Sequence, residues 1–124
     1  MVDPPRILVV DDSPLQRKIY STALKAGGYT VMVAENGLQG VEMALQYDPD
    51  LILMDVSMPE MDGPTAVQEL RRYPAMVQVP IVAVTAVSEP DDVENLYQAG
   101  FDDVVDKNSD RAVLLERVRQ WISG

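Results

Sequence analysis

The chain has 124 residues, 47% of them hydrophobic, with ten Lys and Arg against twenty Asp and Glu and a formal charge of −10. That is the length of one domain, able to bury about two-thirds of its unfolded surface without staples, and the apolar fraction argues against disorder. The chain has no cysteine and no histidine, which excludes disulfides, thiolate or imidazole metal ligands and His-activated nucleophiles, while the negative charge disfavours nucleic acid and anionic membrane surfaces.

No apolar run approaches the ~18 residues of a membrane span, and the opening "MVDPPRI" has no secretory pattern. The expectation is a soluble, cytoplasmic single domain over 1–124, with its core at about 6–122. In chain order, "RILVV" (6–10) is short, apolar and rich in Val and Ile, as a buried strand is. Ser13 can cap the next helix with Pro14 in its first turn, and Leu15, Ile19, Ala23 and Ala26 recur at helical spacing up to Gly27 and Gly28. "YTVMVA" (29–34) reads as a second strand, and Asn36-Gly37 opens a helix carrying Leu38, Val41, Ala44 and Leu45 that stops before Asp48-Pro49.

"DLILM" (50–54) is a third strand running into Asp55, and "VSMPEMDG" is a loop before a helix opened by Pro64 and closed before Pro74. Gly63 and Pro59 shape that loop, and Met54, Met58 and Met61 read as gap-filling core. "VPIVAVT" (79–85) is a fourth strand, followed by a helix from Pro90 to Ala99-Gly100. "DDVVD" (102–106) is a short fifth strand, and the last helix runs from about Asp110 to Ile122 with Leu114, Val118, Trp121 and Ile122 on one face, Trp121 packing on the sheet. Five strands alternating with five helices predict a parallel sheet covered on both faces, with right-handed crossovers.

Ligands of such sheets gather outside the carboxyl ends of the strands, so the polar residue after each strand is a candidate. Asp11 and Asp12 follow the first strand, Asp55 the third, Thr85 ends the fourth and Lys107 follows the fifth. Two carboxylates about 4 Å apart repel by about 4 kcal/mol at an effective dielectric near 20, so adjacent Asp11 and Asp12 call for an offsetting charge. Clustered oxygen ligands without His or Cys suit a hard divalent cation such as Mg²⁺; three carboxylates, one divalent cation and one ammonium then sum to zero. A flavodoxin-type phosphate site would need backbone donors and hydroxyls in the first loop, where two carboxylates stand, and no nucleotide-binding glycine motif occurs.

"ILVVDDSP", "DLILMDVSMPEMDG", "PIVAVTA" and "AGFDDVVDK", in this order and spacing from about Arg6 to Ile122, resemble the receiver domain of two-component response regulators, of the single-domain chemotaxis type. The resemblance implies a flavodoxin-like α/β three-layer sandwich with a five-stranded parallel sheet in the order 2-1-3-4-5. It implies that Asp55 is a phosphoacceptor served by a histidine kinase or histidine phosphotransfer protein. It further implies that Asp12 and Asp55 bind Mg²⁺ (or Mn²⁺) by carboxylate, Asp11 largely through water and Ser57 by its backbone carbonyl. Thr85 would donate its hydroxyl to the phosphoryl group and Lys107 its ammonium. Such a domain catalyses only its own Asp phosphorylation and dephosphorylation and signals to a downstream protein or effector domain.

Three positions depart from the family pattern. Asn108 follows Lys107 where a proline, often after a cis bond, is usual; Val104 stands where many receivers carry the aromatic partner of the Thr85 switch; and Ser57 and Val87 would flank the attacking water in dephosphorylation, although Val87 has no polar side-chain atom. The first two leave open a pseudo-receiver acting by contact alone, which the set Asp11, Asp12, Asp55, Thr85 and Lys107 opposes. A Mg²⁺-dependent phosphohydrolase of the haloacid dehalogenase type also uses a strand-end Asp, but with a second Asp two residues on, where this chain has Ser57.

Overall fold

The computed structural model of the chain describes residues 3–86 and 89–123. Strands β1 (Arg6–Val10), β2 (Thr30–Ala34), β3 (Leu51–Asp55), β4 (Ile81–Thr85) and β5 (Asp103–Asp106) form one sheet in the order β2-β1-β3-β4-β5. Every pairing is parallel. Helices α1 (Pro14–Ala26), α2 (Gly37–Tyr47), α3 (Gly63–Leu70), α4 (Pro90–Ala99) and α5 (Arg111–Ser123) alternate with them, and a 3₁₀ turn at Pro74–Met76 follows α3. The predicted architecture and strand order hold.

The continuous apolar reading of the central strands has a direct cause. Side chains alternate across a strand, and both faces here are covered. Leu8, Val10, Ile52, Met54, Ile81 and Ala83 point to one side, against Val41 and Ala44 of α2, Ala66, Val67 and Leu70 of α3 and Leu96 of α4. Ile7, Val9, Leu51, Leu53, Val82 and Val84 point to the other, against Tyr20 and Leu24 of α1 and Leu114 and Val118 of α5. Met54 is fully buried, with Met58 and Met61 packed against the first cluster, as expected of gap-filling methionines.

The helix starts follow their caps. Ser13 Oγ accepts from the Gln16 amide at 3.3 Å, Asn36 Oδ1 from Gln39 at 2.8 Å and Asp62 Oδ1 from Thr65 at 2.9 Å, each satisfying an amide that the first helical turn leaves without an internal partner. Three local readings shift. β4 begins at Ile81 because Pro80 has no amide to donate to the ladder. The buried side of α1 is Tyr20 and Leu24, whereas Leu15 is exposed. Trp121 is not packed into the core: it stays partly exposed and donates its indole N–H to Asp103 Oδ2 at 2.9 Å, while Arg117 pairs with Asp103 Oδ1.

Candidate functional site

Parallel strands bring their carboxyl ends to one edge, and the register fixes which residues meet there. Val10 pairs with Met54, Asp55 with Val84 and Thr85 with Asp106. The next residues along β1 are therefore Asp11 and Asp12, beside Asp55 at the end of β3, Thr85 at the end of β4 and Lys107 after β5. One oxygen from each of Asp11, Asp12 and Asp55 lies within 4.8 Å of the others. Lys107 Nζ sits 3.4 Å from Asp55 Oδ2, and the Lys107 amide donates to the Thr85 carbonyl at 2.7 Å, tying β4 to β5 at the site. The five strand-end residues converge.

Their environments differ. Asp11 is buried: its amide donates to Ala34 O at 3.1 Å, and its Oδ1 accepts from the Ser13 amide at 2.9 Å. Asp11 Oδ2 is buried with no hydrogen-bond partner, an arrangement that costs free energy unless something fills it. Asp12 is exposed, and Asp55 and Thr85 are buried. The Ser57 amide favours the charged form of Asp55, so Ser57 acts on the cluster through its main chain while the residue is exposed. The loop after Asp55 turns tightly. A Cβ on Gly63 would stand 2.7 Å from Asp55 O and 2.9 Å from Val56 Cα, so only glycine closes it.

Burial pushes the Asp55 carboxyl above the usual carboxylate range, and the Asp11 charge pushes it further, against the Lys107 ammonium and the Ser57 amide. Burial likewise raises Asp11, opposed by the Ser13 amide, Lys107 and Arg17. A raised carboxyl binds protons in the folded chain that the unfolded chain does not hold. The stability this gives is fully present below the ordinary carboxylate value and lost as pH rises through the raised ones. Above the ordinary carboxylate value the two raised groups should therefore make the cation-free chain melt lower as pH rises towards neutrality, and Asp11→Asn should flatten that slope. A pH slope of the melting temperature that Asp11→Asn leaves unchanged would overturn this picture.

The unusual loop after Lys107 has its own solution. There is no cis peptide bond among the described residues. The Asn108 amide donates to Asp106 Oδ1 at 2.8 Å, and Ser109 donates through Oγ and N–H to Asp106 O at 2.6 and 3.0 Å. A proline at 108 could not make the first of these bonds. Val104 is half-buried on β5 against the α2–α3–α4 side of the core, and Val87 lies outside the described residues. One site neighbour escaped the sequence reading: Arg17, whose Nη1 donates to Asp11 O at 2.7 Å.

Three carboxylates closed against one ammonium at the carboxyl edge of a parallel 2-1-3-4-5 sheet define an α/β domain whose acidic cluster could hold a metal ion. The chain belongs to the response regulator receiver domain family, whose description matches residues 7–119. It is 36% identical to the chemotaxis protein CheY of Bacillus subtilis, over 95% of this chain and 98% of that protein. It is 37% identical to the DNA-binding dual master transcriptional regulator RpaA of Synechocystis over 93% of this chain, and spans about half the length of that relative (48%). The receiver domain of the sensor histidine kinase PA1611 from Pseudomonas aeruginosa, solved with a magnesium ion coordinated in its active-site cleft, superposes with a TM-score of 0.90 at 36% identity, covering 98% of this chain and 99% of that one. Among the described residues no helix is long and apolar enough to cross a membrane.

Proposed function

We propose that this receiver, one domain over the whole 124-residue chain, is phosphorylated on Asp55 by a phosphohistidine-bearing histidine kinase or phosphotransfer protein and passes the signal to a downstream protein in the cytoplasm. The observation that carries the reading is the buried Asp55 carboxylate, clustered within 4.8 Å of two others and 3.4 Å from Lys107 Nζ. An Asp55 oxygen attacks phosphorus; the phosphorus–nitrogen bond breaks, its electron pair stays on the imidazole, and an acyl phosphate forms. Phosphoryl transfer needs positioning and charge stabilisation and little else from the protein. Lys107 moves its ammonium from the Asp55 carboxylate to the new phosphoryl oxygens, and the Thr85 hydroxyl donates to the same group, with Thr85 carrying the switch and Val104 in the place of its usual aromatic partner.

The residues fit a divalent cation: the donors are all hard oxygens, and the buried Asp11 Oδ2 lacks a partner. Asp11, Asp12, Asp55 and the Ser57 carbonyl would hold Mg²⁺, or Mn²⁺ in its place. When bound, the cation offsets the carboxylate repulsion and the phosphoryl charge. Turnover is confined to the chain's own Asp55, with no external substrate.

Acetyl phosphate with Mg²⁺ should add one phosphoryl group per chain. Millimolar Mg²⁺ alone should raise the melting temperature by linkage, a response that Asp12→Ala removes. No incorporation at any Mg²⁺ concentration would overturn the proposal in favour of a receiver acting by contact alone.

A further inference from the structure

Arg17 takes no part in the reaction described above, yet its side chain is only 16% exposed and reaches the site from behind. It lies on the first turn of α1, and helical side chains lean towards the N-terminus, so a long one placed there reaches back over the β1–α1 turn. Its Nη1 donates to the carbonyl of Asp11 at 2.7 Å. Its Nη2 is 3.9 Å from Glu35 Oε1, a loose pair with a carboxylate that is 69% exposed. Asp11 is thereby held at three points: its amide by Ala34, its Oδ1 by the Ser13 amide and its carbonyl by Arg17. That carbonyl shares its peptide plane with the Asp12 nitrogen and Cα, so anchoring it fixes the plane from which the exposed Asp12 residue continues.

From this geometry we infer that Arg17 is a positioning residue for divalent-cation binding, aiming the Asp12 carboxylate at Asp11 and Asp55 through the Asp11–Asp12 peptide. The inference rests on reading the acidic cluster as a cation site. Two effects of Arg17 on a cation oppose each other. As a positive charge it repels the ion; as an anchor it pre-aligns a ligand, and outer-sphere partners of this kind are worth ~10–100-fold in metal affinity. The anchoring bond goes to a carbonyl at 2.7 Å, and on this inference its alignment outweighs the repulsion of the guanidinium charge.

Mg²⁺ titration of the cation-free chain by calorimetry, with amide NMR, tests it. Arg17→Met should weaken Mg²⁺ about tenfold or more and shift the Asp12 amide nitrogen resonance, which senses the hydrogen bond on the preceding carbonyl. Arg17→Lys, able to donate to the same carbonyl, should keep both near the parent. A folded Met variant that binds Mg²⁺ as tightly as the parent, or more tightly, overturns the inference, because Arg17 would then act only as a local charge. Should the Met variant fail to fold, Arg17→Lys carries the test: affinity and the Asp12 resonance must stay or move together, and either changing alone overturns it. A parent that takes up no Mg²⁺ would strike at the cation-site reading itself, which separates the two failures.

Discussion

Asp55→Asn should take up no phosphoryl group at the acidic edge of the sheet under conditions where the parent chain takes up one. The substitution keeps the shape of a side chain that is only 5% exposed, so packing against Met54, Val84 and the Gly63 turn is retained. It removes the proposed nucleophile, because the amide nitrogen lone pair is delocalised into the carbonyl. It also removes one of three mutually repelling carboxylates while giving up the 3.4 Å pair with Lys107. The raised Asp55 carboxyl says that burial and repulsion outweigh that pair. The cation-free variant should therefore melt at or above the parent's temperature at neutral pH, so lost labelling cannot be attributed to unfolding. The parent's label should be released by hydroxylamine, as an acyl phosphate is. Full labelling of Asp55→Asn would place the acceptor elsewhere.

The strand-end cluster was legible in the sequence because a parallel sheet turns a one-dimensional rule, the polar residue at the end of each apolar run, into a shared edge. Asp11, Asp12, Asp55, Thr85 and Lys107 all follow that rule, and the register brings them together. What escaped depends on partners far apart in sequence or on side-chain direction. Arg17 is found only once α1 is placed over the turn it grips. On α1 the helical spacing of Leu15, Ile19, Ala23 and Ala26 finds Ile19 against the core, but Leu15, in the first turn, is exposed, and Tyr20 and Leu24, four residues apart, are the buried residues. Trp121 looked like core by composition, but Asp103, eighteen residues earlier, offers its indole N–H a buried acceptor, and an indole N–H commonly finds such a partner.

Arg71 is the strongest case of a residue without sequence signal, and Arg71→Ala should lower stability by about 3 kcal/mol, or about 10 °C in melting temperature for a domain of this size. Its guanidinium closes α3 and donates to Gly100 O at 3.1 Å, Met76 O at 2.7 Å and Val79 O at 2.9 Å, and pairs with Asp102 Oδ2 at 2.6 Å. The same Asp102 oxygen accepts from the Ile81 amide at the start of β4. One side chain thus joins the end of α3, the 76–79 loop, the end of α4 and the starts of β4 and β5. Gly100 suits the arrangement: its φ is +127°, and a Cβ there would stand 3.2 Å from Arg71 Cγ. Removing the guanidinium leaves three carbonyls and a carboxylate short of a donor, each costing ~1–3 kcal/mol if water cannot replace it. Arg71 is 20% exposed, so water recovers part of this, which brings the sum down to the stated value. Arg71→Lys should recover only a minority, since one ammonium cannot span acceptors that a planar fork reaches together. The bolt lies at the amino ends of the strands, away from the acidic edge, so phosphoryl incorporation per folded chain should not change. Denaturant unfolding of parent and variant decides the matter. A difference under about 1 kcal/mol at unchanged slope would mean that water substitutes for the guanidinium and that the bolt carries no weight.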